Sequence, residues 1–129
     1  PLYSSAASDV YKRQQYDYVI DAIDTVTAKI ELIKRCTELN VPIISSMGTG
    51  NKLDPSHLQI TDIYKTKIDP LAKVMRRELK ARRIKKCLVA YSDEIPAKTG
   101  QRTPGSSVFV PASAGLMIAG YVFQSLIGG

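Results

Sequence analysis

Hydrophobic and polar positions along the chain change period several times. The apolar run in YDYVID, residues 16–21, predicts a buried strand. Residues 25–39, TVTAKIELIKRCTEL, shift to a helical period that puts Val26, Ile30, Ile33 and Cys36 on one face, with Asn40 as a stop signal. VPIISSM predicts a second strand and GTGNKLDPS a turn-rich loop. HLQITDIYKT alternates enough for a strand with one wet face. In DPLAKVMRRELKARRI a helix is predicted: Asp69 caps it, Pro70 sits in its first turn, and Leu71, Val74, Met75 and Leu79 form its apolar stripe. KKCLVAYS predicts another strand, DEIPAKTGQRTPGS a long loop, and VFVPASAGLMIAGYVFQSLI a short strand followed by an apolar helix starting near Pro111. Alternating strands and helices predict an α/β sheet with parallel members.

Residues 1–14, PLYSSAASDVYKRQ, lack any apolar period and read as a foreign or disordered leader, ahead of one domain over 15–129. The 129 residues are 44% hydrophobic, enough for one modest core. A net charge of +6 favours an anionic partner. Cys36 and Cys87 form no CxxC pair and His57 is the sole histidine, so neither a disulfide framework nor a zinc site is expected, and a reducing, cytoplasmic setting fits. The segment from Val108 to Ile127 has about the length of a membrane span. Its Pro111, Ser113, Gln124 and Ser125 argue instead for a helix buried on the sheet or on a partner subunit, so membrane association is not expected.

Two acids, Asp21 and Asp24, lie where the first strand meets the first helix. In open α/β sheets ligands bind beyond the carboxyl ends of the strands. Asp24 has two readings of equal weight: an N-cap for the unpaired N–H groups of the helix that follows, or a magnesium-binding carboxylate facing a nucleotide. Spacing does not choose between them. Lys29 reads first as a solvated helix lysine. Both cysteines read as packing residues rather than nucleophiles, Cys36 on an apolar helix face and Cys87 within a strand.

Three blocks, IDAIDTVTAK, ISSMGTGNKLDP and KTKIDPLAKVMR, with the ending GSSVFVPASAG, resemble the ThiF-like superfamily of ubiquitin-activating-enzyme-like adenylating proteins over roughly residues 15–128. Within it they are most similar to the branch that dehydrates threonylcarbamoyladenosine in tRNA. The resemblance implies a fold, the C-terminal part of a Rossmann-like adenylating domain with a mixed sheet flanked by helices. It also implies an activity: ATP and magnesium adenylate the threonyl carboxylate, and ring closure releases AMP. Asp24 matches the family's magnesium-contacting aspartate, and Lys29 occupies a place where related enzymes often carry a nucleotide-side basic residue. Partners implied are tRNA carrying threonylcarbamoyladenosine and a second copy in a homodimer, with a sulfur-acceptor protein in the alternative below. The family's glycine-rich nucleotide loop, ribose-binding acid, and catalytic Arg and Lys have no counterpart in these residues. The GxG of MGTGN lies between strands and reads as a turn, so adenylation by this chain alone is not expected.

Between Lys73 and Lys86 lie eight basic residues and one acid, Glu78. This run reads as a candidate tRNA-backbone contact, with Arg76, Arg77, Lys80, Arg82 and Arg83 at its centre; no aromatic residue interleaves it, so base stacking is not expected there. Two alternatives stand beside the dehydratase reading. One is a sulfur-carrier or ubiquitin-like-protein adenylyltransferase of the same superfamily, which the lack of paired cysteines disfavours. The other is a non-catalytic tRNA-binding or dimerisation module.

Overall fold

A computed structural model describes residues 17–49, 52–95 and 109–128. The leader expected over 1–14 and most of the long loop after Glu94 lie outside the described residues, as do Gly50 in the GxG and Gly105–Val108 of the C-terminal block. Four strands form one sheet in the order β1-β2-β4-β3. They are β1 (Val19–Asp21), β2 (Ile43–Ser46), β3 (Leu58–Asp62) and β4 (Leu88–Ser92). β1, β2 and β4 run parallel, and β3 pairs antiparallel with β4, Leu58 opposite Ser92 and Asp62 opposite Leu88. Among the described residues three α-helices flank the sheet: α1 (Val26–Glu38), α2 (Pro70–Ala81) and α3 (Phe109–Gly128).

The two-residue period of the strands sorts their side chains between two layers. Val19, Val89 and Tyr91 face α1 and α2, where they join Ile33, Leu32, Met75 and Leu79 in buried clusters. Ile44 and Ala90 face the other way, against Ile118 of α3. Parallel strands covered on both faces need this near-continuous apolar content. It also explains why Leu32 is as fully buried as Ile33, although the helical stripe read from sequence omits it.

Both central helices end in the same chain reversal. Asn40 adopts φ 55° and donates to Thr37 O, and Val41 donates to Cys36 O. Arg83 adopts φ 62° and donates to Lys80 O, and Ile84 donates to Leu79 O. These paired bonds satisfy carbonyls that the helix leaves unbonded, and Ile84 adds an apolar contact over Leu79.

The predicted cap of α2 is present: Asp69 Oδ2 accepts from Ala72 N at 2.8 Å, with Pro70 in the first turn. Of the two readings of Asp24, the cap of α1 is not the one formed. Thr25 occupies that position with no side-chain cap bond, and Asp24 is exposed. The strand expected at the start of VFVPASAG is also corrected, since Phe109 and Val110 already belong to α3. Apolar content alone does not separate a short buried strand from a helical turn. α3 rests on the sheet through Ile118, with Met117 and Val122 beside it, while Leu116 and Phe123 stay 77% and 60% exposed. By length and composition it is apolar enough to cross a membrane, with mean hydropathy 1.5 over Val110–Gly128.

Ile68 holds a left-handed backbone, φ 74°, at the centre of a tight turn closed by Asp69 N donating to Lys67 O at 2.8 Å. A β-branched residue is strained there. Ile68→Gly is therefore expected to raise stability by about 1 kcal/mol, read as a higher urea midpoint at unchanged slope; an unchanged or lower midpoint would refute the strain.

Candidate functional site

The carboxyl ends of β1, β2 and β4 converge on one edge of the sheet, and two buried lysines tie that edge together. Asp21 ends β1 with the same inward parity as Val19, so its carboxylate enters the protein and is 0% exposed. There it accepts Lys29 Nζ at 3.1 Å and Ser45 Oγ at 2.5 Å through Oδ2, and Ile23 N at 2.9 Å through Oδ1. Lys29 Nζ also donates to Ser46 O, the last carbonyl of β2, at 2.6 Å. One ammonium thus joins α1 to the ends of two neighbouring strands. Lys29 is 1% exposed, which corrects its reading as a solvated helix lysine. The signal was in the period: Lys29 shares the helical stripe of Leu32, Ile33 and Cys36.

The second lysine, Lys52, is likewise 1% exposed. It forms a buried ion pair with Asp69 Oδ1 and donates to Ser92 O, the last carbonyl of β4, at 3.0 Å. Asp69 therefore caps α2 and pairs Lys52 at once. The adjoining loop is fastened by Glu94, whose carboxylate accepts from Leu53 N and Asp54 N at 2.9 Å each. Sequence reasoning missed this pair because its partners sit in a loop and a cap, where no period marks burial.

At the β3 end of the edge, His57 lies 2.8 Å from Asp93 through Nδ1, and Asp54 is 3.7 Å from Nε2. The Asp93 hydrogen bond raises the His57 pKa above its ordinary value, and the same contact lowers that of Asp93. The stabilisation from this pair is complete between the ordinary aspartate and histidine pKa values, is lost as pH rises through the raised histidine value, and is lost as pH falls through the lowered aspartate one.

Asp24 stands in the turn between β1 and α1, exposed and without a hydrogen bond or ion pair to any described residue. The Ile23 N–H bonded to Asp21 holds the turn that carries it. No group of three or more His, Cys, Asp or Glu among the described residues is placed to hold a metal. A lone open carboxylate does fit magnesium that arrives with a nucleotide, since magnesium takes one or two carboxylates and otherwise phosphate oxygens and water. Lys29, by contrast, spends its ammonium on Asp21 and Ser46. Both cysteines are buried, and burial pushes the Cys87 thiol up to about 12.

The five basic residues singled out from sequence separate into two groups. Arg76 is turned inward onto Thr66, donating to its carbonyl at 3.1 Å and to its hydroxyl. Arg82 pairs with Glu78 at 2.9 Å and Arg77 approaches the same carboxylate at 3.6 Å. The Arg82 contact lowers the pKa of Glu78. Lys80 and Arg83 are exposed, with no acid in ion-pair range among the described residues. α1 and α2 flank an open groove of about 790 Å³ lined by Thr25, Thr27, Glu31, Lys34, Glu78 and Arg82 among others.

Comparison with known proteins bears on what this edge serves. The chain is 43% identical to the tRNA threonylcarbamoyladenosine dehydratase of Bacillus subtilis, over 86% of its own length and 51% of that protein. It is 44% identical to the Escherichia coli dehydratase over 55% of its length and 26% of the relative. The crystal structure of E. coli TcdA in complex with ATP matches with a TM-score of 0.66 at 29% identity, covering 95% of this chain and 56% of that one. The AMP complex matches with a TM-score of 0.65. No family model matches. The mixed sheet flanked by helices is thus the TcdA fold, over about half of it. By sequence and by fold, the chain is similar to the tRNA threonylcarbamoyladenosine dehydratases and spans about half the length of the Bacillus protein.

Proposed function

We propose that this chain supplies one half of an ATP-dependent tRNA threonylcarbamoyladenosine dehydratase. In this reading the carboxyl edge of the sheet faces the nucleotide. Asp24 would hold magnesium brought in by the nucleotide, and the threonyl carboxylate of the modified adenosine attacks the α-phosphorus as pyrophosphate leaves. Magnesium, when bound, offsets phosphate charge. This chain's own part is to present Asp24 on a fixed turn, through Asp21 and Lys29. Such preorganisation lets a charged group act without rearranging during the reaction. The observation that carries the proposal is the exposed, unengaged Asp24 at the end of β1 in a fold that matches an ATP complex.

The sulfur-transfer alternative has less support, because both cysteines are buried and the Cys87 thiol is held protonated by burial. The apolar outer face of α3 fits self-association into the homodimer that the superfamily resemblance implies.

Calorimetry of Mg–ATP with the chain and with Asp24→Asn tests the half-site. No GxGxxG occurs in the 129 residues, so neither protein is expected to release measurable heat. Tight binding lost in the variant would show a half-site competent alone. Tight binding retained in the variant would overturn the role of Asp24.

A further inference from the structure

Helix α2 runs from the carboxyl edge of the sheet to its amino edge. Its cap, Asp69, pairs with Lys52, which bonds the last carbonyl of β4. Beyond its other end, Ile84 O accepts from Tyr64 Oη, beside the start of β4. The basic run is laid along this axis. Glu78 is the sole acid within it and occupies Arg82 and Arg77, and Thr66 occupies Arg76. Lys73, Lys80, Arg83, Lys85 and Lys86 are all exposed, and among the described residues no acid lies within ion-pair range of any of them. Lys73 and Lys80 are seven residues apart, two helical turns, so they project from one side about 10 Å apart along the axis.

We infer that these acid-free cations, Lys73, Lys80, Arg83, Lys85 and Lys86, form a stripe that binds the RNA phosphate backbone and leads it along α2 toward the nucleotide-facing edge. The inference rests on the dehydratase reading for its choice of RNA. It differs from the sequence expectation in excluding the cations that the fold already employs. A guanidinium held by Glu78 must give up that partner to meet a phosphate, whereas a solvated lysine releases only counterions from the nucleic acid. With no aromatic residue in the run, contacts go to the backbone, which positions an RNA without reading its sequence.

Two double variants remove the same charge from the same helix: Lys73→Gln with Lys80→Gln, and Arg77→Gln with Arg82→Gln. Binding of a labelled RNA hairpin to the whole chain is followed by fluorescence anisotropy across a salt series, with thermal melts confirming that both variants fold. The lysine pair is expected to weaken binding by about tenfold or more and to make the salt slope shallower by about 2, while the arginine pair changes binding less than about threefold. Equal losses, a larger loss from the arginine pair, or no RNA binding by the parent chain at low salt would overturn the stripe. Nucleotide chemistry is read in a separate assay, so a failed stripe leaves the adenylation reading standing, and a failed adenylation reading leaves the RNA result interpretable.

Discussion

Asp69→Ala is expected to cost about 4 kcal/mol or more of folding stability, because one carboxylate serves two buried tasks. Its Oδ2 caps Ala72 N, and its Oδ1 pairs with Lys52, a lysine 1% exposed. Loss of a cap typically costs about 1 kcal/mol. Leaving a buried ammonium unpaired costs about 3–5 kcal/mol. Small domains are stable by only about 5–15 kcal/mol, so the variant stands near the unfolding threshold. Asp69→Asn separates the two contributions. It keeps an oxygen for Ala72 N and loses the charge, so it is expected to fall between the parent and Asp69→Ala in urea denaturation. Identical losses for Asn and Ala, or a loss below about 1 kcal/mol for Ala, would show that the pair does not hold the start of α2 to the end of β4.

Lys29→Met is the second large effect, about 3–5 kcal/mol, for a related reason. The substitution keeps the length and apolar stem of the side chain. It leaves Asp21, 0% exposed, with Ser45 Oγ and Ile23 N as its only donors among the described residues. Adding Asp21→Asn to Lys29→Met should recover part of the loss, since both charges are then gone, and a double-mutant cycle measures that coupling directly. Additive losses in the cycle would mean that the two side chains do not act as a pair. The local consequence is specific: the turn through Ile23 that carries Asp24 loses its anchor, and its amide exchange should rise more than that of the β4 core.

Much of this architecture was legible because it is written in local period. The stripe of α1, the cap and stripe of α2, and the apolar strands follow from spacing alone, and their observed limits, Val26–Glu38 and Pro70–Ala81, lie within a few residues of the predicted ones. Sheet order was not legible. β4 inserts between β2 and β3, and β3 turns antiparallel, through contacts between residues far apart in sequence. The start of α3 was misread because VFV is equally apolar in a strand or a helical turn. At the candidate site, Asp24 stood out from its place where the first strand meets the first helix, while its choice between cap and open carboxylate needed the position of Thr25. Lys29 was misjudged because a lysine in a helix is usually solvated. Only burial of its partner, Asp21, gives its ammonium a place inside.

The most direct test of the account is a chimera in which residues 15–129 replace the matching part of the Bacillus subtilis dehydratase, assayed for ATP-dependent dehydration of tRNA-borne threonylcarbamoyladenosine with release of AMP. The chain, if it is the Asp24-bearing half of such an enzyme, restores the reaction, and Asp24→Asn in the same chimera lowers the rate by about 100-fold or more. A folded chimera that forms no product, or one that works equally well after the Asp24→Asn substitution, would contradict it.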